Sequence, residues 1–450
     1  MTSNQSRKDR VWEIIEKYSW IPFTNMDKFI EDRDYLTIIK GEGIYLEDID
    51  GNRYIDALGG IYCANLGYNN KEVVKAIKEQ ADTLPFVYYG TGVNEPMLNL
   101  CETLGKLSPG TLNRVRLELT GSDANKVAIK IARAYFREKS KNTVISLWGS
   151  YHGNTLGTLG MTGQEYYKEF HHRNICNGNL LLPPPNCYRC SYGLTYPHCN
   201  ILCAKMLETV IQNHGISNVA AFIAEPILGA SIIVPPDEYW TIIKETCQRY
   251  DVLLIMDEIV TGFGRTGKLF GCDHWKIEPD IMTLAKGLSS LYQPISAVII
   301  QDYIFDKLMH EEDIRHSHTG ILHPIGCAAS LASINEIIKR DLAGNAKKIG
   351  NYLRQKLEET CKTSPYVGEI RGKGLHQGIE LVKDKITKSR FSRETINEIE
   401  KKFRKKGIIT KIKGYMCDVI FITPPLIITK DEIDIIINVI LEVLNEINKS

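Results

Sequence analysis

The chain has 450 residues, with 55 Lys and Arg against 54 Asp and Glu, a formal net charge of +1. Its 43% apolar and 24% charged residues exclude disorder, collagen-like repeats and a coiled coil. The near-zero charge removes the general electrostatic case for a nucleic-acid partner. No apolar run approaches the roughly 18–20 residues that span a bilayer.

In chain order, residues 43–46 and 53–56 read as short β-type runs on either side of Asp50-Gly-Asn52, an Asp-Gly hairpin turn. From about residue 110 the pattern becomes strand, loop, helix, repeated. Strands are predicted at 115–119, 144–147, 220–224, 252–256, 281–284 and 296–300. Most are continuous apolar runs, as expected of strands covered on both faces. Within 122–139, Val127, Ala128, Ile131, Ala132, Tyr135 and Phe136 form one helical stripe. Alternating β and α implies an open, mainly parallel sheet. The last helix opens on a capping box, Thr429-Lys-Asp-Glu432, and its apolar face is Ile433, Ile436, Ile437, Ile440, Leu444 and Ile447. The most irregular stretch is 174–197. The polar segment 1–10 does not read as a secretory signal. Twelve cysteines in this length are too sparse for a disulfide scaffold, so the expectation is a cytoplasmic chain with reduced thiols.

Gly262-Phe-Gly264-Arg-Thr-Gly267 fits the dinucleotide-binding pattern and follows an apolar strand. A pyrophosphate site needs that turn to open a helix. Here it leads into Lys268-Leu-Phe-Gly-Cys-Asp-His274, which has no helical stripe, and it follows Asp257-Glu258. The nicotinamide reading is therefore set aside as a distant alternative.

Ligands of open α/β sheets gather beyond the carboxyl ends of the strands. Those ends carry Asp257, Lys286, the helix start Gly121-Ser122, and Tyr151-His152. Alone, each has a plainer explanation: a surface lysine, an N-cap, a capping acid, a satisfied core aromatic. Together they are what pyridoxal phosphate requires. The aldehyde needs a lysine in a partly desolvated site. The pyridine nitrogen needs a fixed carboxylate to stay protonated. The dianionic phosphate needs free N–H groups at a helix start. A flat aromatic must stack on the ring.

Thr120-Gly-Ser-Asp-Ala-Asn125, Tyr151-His-Gly153, Ala224-Glu-Pro226, Met256-Asp-Glu-Ile-Val-Thr-Gly-Phe-Gly-Arg-Thr-Gly267 and Leu284-Ala-Lys-Gly287 resemble, in order, the class III pyridoxal-phosphate aminotransferases of fold type I. Gly51-Asn-Arg-Tyr-Ile-Asp56, Thr319 with His323-Pro324, and Thr423-Pro-Pro-Leu426 extend the likeness over most of the chain. The resemblance implies a large domain (71–325) built on a mainly parallel seven-stranded sheet flanked by helices. It also implies a smaller α+β domain from both chain ends (1–70 and 326–450). Lys286 is similar to the Schiff-base lysine that also moves the substrate proton, and Asp257 to the pyridinium partner. Ile259 matches the residue under the ring, Gly121 and Ser122 the phosphate turn, and Tyr151 the stacking aromatic with His152 beside it. Glu225 falls at the Ala-Glu-Pro acid, and Tyr62 at an aromatic wall of the substrate pocket. Thr319 resembles a residue that reaches the neighbouring subunit's phosphate, which implies a homodimer with shared active sites.

The implied reaction moves an amino group from an ω-amino compound (β-alanine, 4-aminobutyrate, taurine or similar) to pyruvate or 2-oxoglutarate. Decarboxylation of a dialkyl amino acid and an aminomutase shift are the rival chemistries. Gly414 stands where many pyruvate-using relatives have a carboxylate-gripping arginine, with Lys411 and Lys413 nearby. Val260, where users of 2-oxoglutarate often have Gln, points back to pyruvate, so the acceptor stays open. Finally, Cys187-x2-Cys190-x8-Cys199-x3-Cys203 has the thiol count of a zinc site, but its spacing fits the common ribbons only in part. Free thiols are expected, with a zinc cluster as the minor alternative.

Overall fold

The computed structural model describes residues 4–169, 178–310 and 314–447. The first residues of the irregular 174–197 stretch lie outside them. The centre is a seven-stranded sheet, whose strands we number β1 (Leu112–Glu118), β2 (Thr143–Leu147), β3 (Asn179–Leu182), β4 (Val219–Ala224), β5 (Leu253–Asp257), β6 (Ile281–Leu284) and β7 (Ser296–Gln301). Their order across the sheet is β1-β7-β6-β5-β4-β2-β3. From β6 to β3 all neighbours are parallel. Only β7 is reversed, antiparallel to both β1 and β6.

The central strands β2, β4, β5 and β6 are buried at every residue, because helices cover both faces. The edges differ from the sequence reading. β1 begins three residues earlier than the predicted 115, and its added Asn113 and Arg114 are exposed. An edge strand keeps polar side chains, so an apolar run marks only part of it. The opposite edge, β3, is short and half-buried, and its apolar content gave no strand prediction.

Gly121–Tyr135 is helical, with Val127, Ala128, Ile131 and Ala132 buried on the sheet. The terminal helix Lys430–Ile447 buries the whole predicted apolar face. Its capping box forms as read: Glu432 Oε2 accepts from Thr429 N (2.9 Å), and Thr429 Oγ1 accepts from Glu432 N (3.4 Å).

Two four-stranded sheets flank the centre. One joins Ile38–Glu42, Tyr45–Asp48 and Arg53–Asp56 to Ile408–Ile409, so a strand from late in the chain runs parallel to one from its beginning. The other is antiparallel and combines Val367–Lys373, His376–Leu381, Asp418–Ile422 and Ile412–Lys413. No described helix is long and apolar enough to cross a membrane.

Candidate active site

The carboxyl ends of the parallel strands open on one edge of the sheet. Asp257 is the last residue of β5, and Lys286 follows β6. Glu225 follows β4, Tyr151 and His152 lie beyond β2, and Gly121 opens the helix after β1.

Asp257 is buried in a net of donors. Its Oδ2 accepts from Asn125 Nδ2 (2.7 Å) and sits 2.7 Å from His152 Nδ1; its Oδ1 accepts from Ile259 N (3.1 Å). Asn125 is itself oriented, since its Oδ1 accepts from Thr283 Oγ1 (2.7 Å) and its Nδ2 also donates to His152 O (2.9 Å). Such outer contacts hold a carboxylate in one direction. Asn125 and Thr283 were not singled out from sequence, although Asn125 closes a quoted motif. A buried Asn on a helix looks like any polar core residue until its partner is known.

Glu225 accepts from the backbone N–H of Tyr151 (3.2 Å) and of Gly229 (2.7 Å). Burial, with Asp257 nearby, pushes its carboxyl up from 4.5 to about 7. Between these values the folded chain binds more protons here than the unfolded chain, so this group's contribution to stability falls as pH rises through the window. Denaturant titrations of Glu225→Gln across pH 4.5 to 7 should lack that slope; an unchanged slope would assign it elsewhere.

Tyr62 arrives through four consecutive left-handed residues, Gly59 (φ 57°), Gly60 (57°), Ile61 (60°) and Tyr62 (66°). At Gly59 a Cβ would stand 2.3 Å from Thr423 O, so only glycine fits. The buried Tyr62 hydroxyl donates to Gly229 O (3.1 Å), and Lys286 Nζ lies 5.1 Å over its ring. Behind Tyr62 is His376, with ring centroids 5.4 Å apart; burial and the charges of Arg265 and Lys286 pull its imidazole down to about 3.

Arg265, within the glycine-rich loop, is wholly buried. It donates to the carbonyls of Leu375 (3.1 Å), Thr423 (3.1 Å) and Pro424 (2.5 Å), and to Asn65 Oδ1 (2.8 Å). It thereby ties the sheet to segments from both chain ends, and burial without a directly bonded carboxylate lowers it to about 10. Arg265→Leu should cost at least about 3 kcal/mol in denaturant unfolding, since each buried acceptor left unpaired costs about 1–3 kcal/mol. A midpoint like wild type would refute this role. The loop itself opens no α-helix: it runs into the single 3-10 turn Gly271–His274, and Glu258 Oε2 accepts from Gly271 N (2.8 Å). That geometry removes the dinucleotide reading.

The remaining calls from sequence fall as follows. Ile259 faces Gly121, where a Cβ would stand 2.8 Å from its Cδ1, and Ser122 Oγ adjoins Gly153 and accepts from Asn154 N (3.3 Å). Tyr151 is half-exposed, its ring 5.1 Å from that of Tyr167. Thr319 is exposed, and no described contact joins it to the others. Val260 packs with Tyr62 in an apolar cluster. Near Gly414, Lys411 is already paired with Glu400 (2.7 Å).

Three observations fit pyridoxal phosphate. The Lys286 amine has no hydrogen-bonding or ionic partner among the described residues. His152 Nε2 is buried without a hydrogen-bond partner among the described residues. The helix start at Gly121-Ser122 has its side-chain cap on Asp123 N, which leaves the first N–H groups for an anion. A mainly parallel sheet whose strand ends carry a lysine, a fixed acid and a helix start has the groups that a pyridoxal-phosphate enzyme needs.

The chain belongs to the class III aminotransferases: the family model "Aminotransferase class-III" matches residues 30–444. It is similar to a putrescine–pyruvate aminotransferase of Pseudomonas aeruginosa, at 34% identity over 98% of this chain and 97% of that protein. It is also similar to a leucine/methionine racemase of Thermococcus litoralis, at 37% identity over 94% and 93%. Among solved structures, an ω-transaminase from Pseudomonas jessenii in complex with PMP superposes with a TM-score of 0.91 at 34% identity, covering 96% and 97% of the two chains. The protein is thus a transaminase that uses pyridoxal phosphate.

Proposed function

We propose that this aminotransferase takes nitrogen from a terminal amine and passes it to pyruvate or 2-oxoglutarate. The observation that carries the reading is the Lys286 amine, without a partner among the described residues and standing over the Tyr62 ring, together with the Asp257–His152–Asn125 net at the end of the neighbouring strand. Bound pyridoxal phosphate supplies an electron sink for the carbanion left when a proton is removed beside nitrogen. Lys286 would hold the cofactor's aldehyde carbon and carry that proton at Nζ. Asp257 would keep a positive charge on the ring nitrogen, and Gly121 and Ser122 would hold the phosphate. Ile259 and Tyr151 would pack on the two faces of the ring, and Glu225 would fix Tyr151 through its backbone. Tyr62 and Val260 would form an apolar donor wall suited to an unbranched amine. Racemisation of an α-amino acid as an additional activity of the same site is the second reading, favoured by the Thermococcus relative.

A donor-by-acceptor panel read by mass spectrometry separates them. The expected result is turnover of terminal amines that requires a keto acid. An inverted α-amino acid formed with no acceptor would install the racemase reading, and carbon dioxide release would install decarboxylation.

The active unit is proposed to be a cytoplasmic homodimer in which Thr319 reaches the other subunit's phosphate, in keeping with its exposure here. Mixing inactive Lys286→Ala subunits with inactive Thr319→Ala subunits should restore part of the activity through hybrid dimers. A fully active monomer in sedimentation would refute this.

A further inference from the structure

The four cysteines that the sequence left undecided lie around one small cavity. Cys187, Cys190, Cys199 and Cys203 all line a void of about 20 Å³, walled otherwise by Asn186 and by prolines, leucines and tyrosines. That is room for one ion or one water and for nothing larger. Cys203 lies in the field of Cys187, Cys199 and Cys190, and Cys187 in that of Cys199 and Cys190.

The backbone suits paired ligands. Cys187 and Cys190 sit on a turn in which Asn186 Oδ1 accepts from Arg189 N (3.0 Å). Cys203 is in the first turn of the helix Leu202–His214, with Cys199 just before it, its carbonyl accepting from Leu202 N (3.2 Å).

A second observation is independent of the spacing. The hydroxyls of Tyr192 and Tyr239 are buried with no hydrogen-bond partner among the described residues, and Tyr239 is only 1% exposed. Tyr192 lines the cavity and lies in the field of Cys203 and Cys190, and Tyr239 in that of Cys203. Buried donors without acceptors need an explanation. A neutral thiol is a weak acceptor, whereas a metal-bound thiolate carries the charge that such second-layer donors stabilise.

We infer that Cys187, Cys190, Cys199 and Cys203 form a tetrathiolate site for a single zinc ion, with the Tyr192 and Tyr239 hydroxyls donating to its sulfurs. Soft thiolates without carboxylates select zinc over magnesium or calcium. Binding forms four Zn–S bonds and releases the four thiol protons to solvent. The sulfurs would close to about 3.8 Å apart, the edge of a tetrahedron with Zn–S near 2.3 Å. Among the described residues, the one group of three or more His, Cys, Asp or Glu whose ligand atoms all lie within 4.8 Å of one another is elsewhere, Glu118, His316 and His318, so the four sulfurs must draw together on binding. In that group one carboxylate oxygen of Glu118 is already taken by the protein's own Arg116. Arg116 lies 2.9 Å from Glu118, and Lys126 is 2.7 Å from Asp123, the partner of His318.

The test uses the full-length holoenzyme, loaded with zinc, dialysed against metal-free buffer and assayed for metal per chain. The same chain loaded with cobalt is examined for thiolate-to-cobalt charge transfer and tetrahedral ligand-field bands. About one zinc per chain is expected, with both cobalt signatures in wild type and neither in Cys187→Ser or Cys203→Ser. The wild-type cobalt spectrum stands even if a variant fails to fold. Zinc below about a tenth per chain, zinc retained in both serine variants, or disulfides among these cysteines in non-reducing peptide mapping would overturn the site.

Discussion

Lys286→Ala is expected to abolish transamination while leaving a folded chain. Lys286 follows β6 with a left-handed backbone (φ 44°), and its amine stands over Tyr62 with no described counter-ion. The nearby Tyr62 hydroxyl cannot replace it, being committed to Gly229 O with its pKa raised by burial. Loss of a positioned proton carrier alone costs about 10²–10⁴-fold, and loss of the covalent hold on the cofactor adds to that. Borohydride reduction followed by peptide mass spectrometry should mark Lys286 in wild type and no lysine in the variant. Turnover within tenfold of wild type, or a mark on another lysine, would remove Lys286 from the mechanism. Far-UV circular dichroism should be unchanged, because the side chain is only half-buried.

Asp257→Asn carries the second largest effect. The carboxylate receives Asn125 Nδ2 and Ile259 N on different oxygens, with His152 on the first as well. An amide has one accepting oxygen, so its NH2 must face either the Asn125 NH2 or the Ile259 N–H, a donor against a donor. Its negative charge is also gone, and a protonated ring nitrogen would lose its partner in a site that excludes water. Turnover should fall by about 10²–10³-fold, with weaker retention of pyridoxal phosphate on gel filtration and a stability loss of about 1–3 kcal/mol from the unpaired group. A variant within threefold of wild-type turnover would show that the ring nitrogen is served by another residue.

The alternation of apolar strands with a striped helix was sufficient to read an open α/β sheet, because strands buried on both faces and helices buried on one leave distinct periodicities. The strand ends were legible for the same reason: an acid, a lysine and a glycine–serine pair stand immediately after apolar runs. A turn after a strand places a side chain without help from the rest of the chain. The sheet edges were less legible, since β1 and β3 carry exposed or half-buried residues that break the apolar signal.

What the tertiary structure alone decided depends on partners far apart in the chain. Arg265 looked like one more residue of a glycine-rich loop; its carbonyl partners at Leu375, Thr423 and Pro424 lie more than a hundred residues away. Asn125 acquires its meaning only where β5 brings Asp257 beside its helix, and Tyr62 only where Gly229 meets its hydroxyl. The cysteine spacing favoured free thiols over a metal cluster, and only the packing of the loop on the helix start brings all four around one cavity. Local sequence determines which way a backbone turns and which face of an element is apolar. Which buried polar groups satisfy one another is a long-range property, decided only when the elements pack.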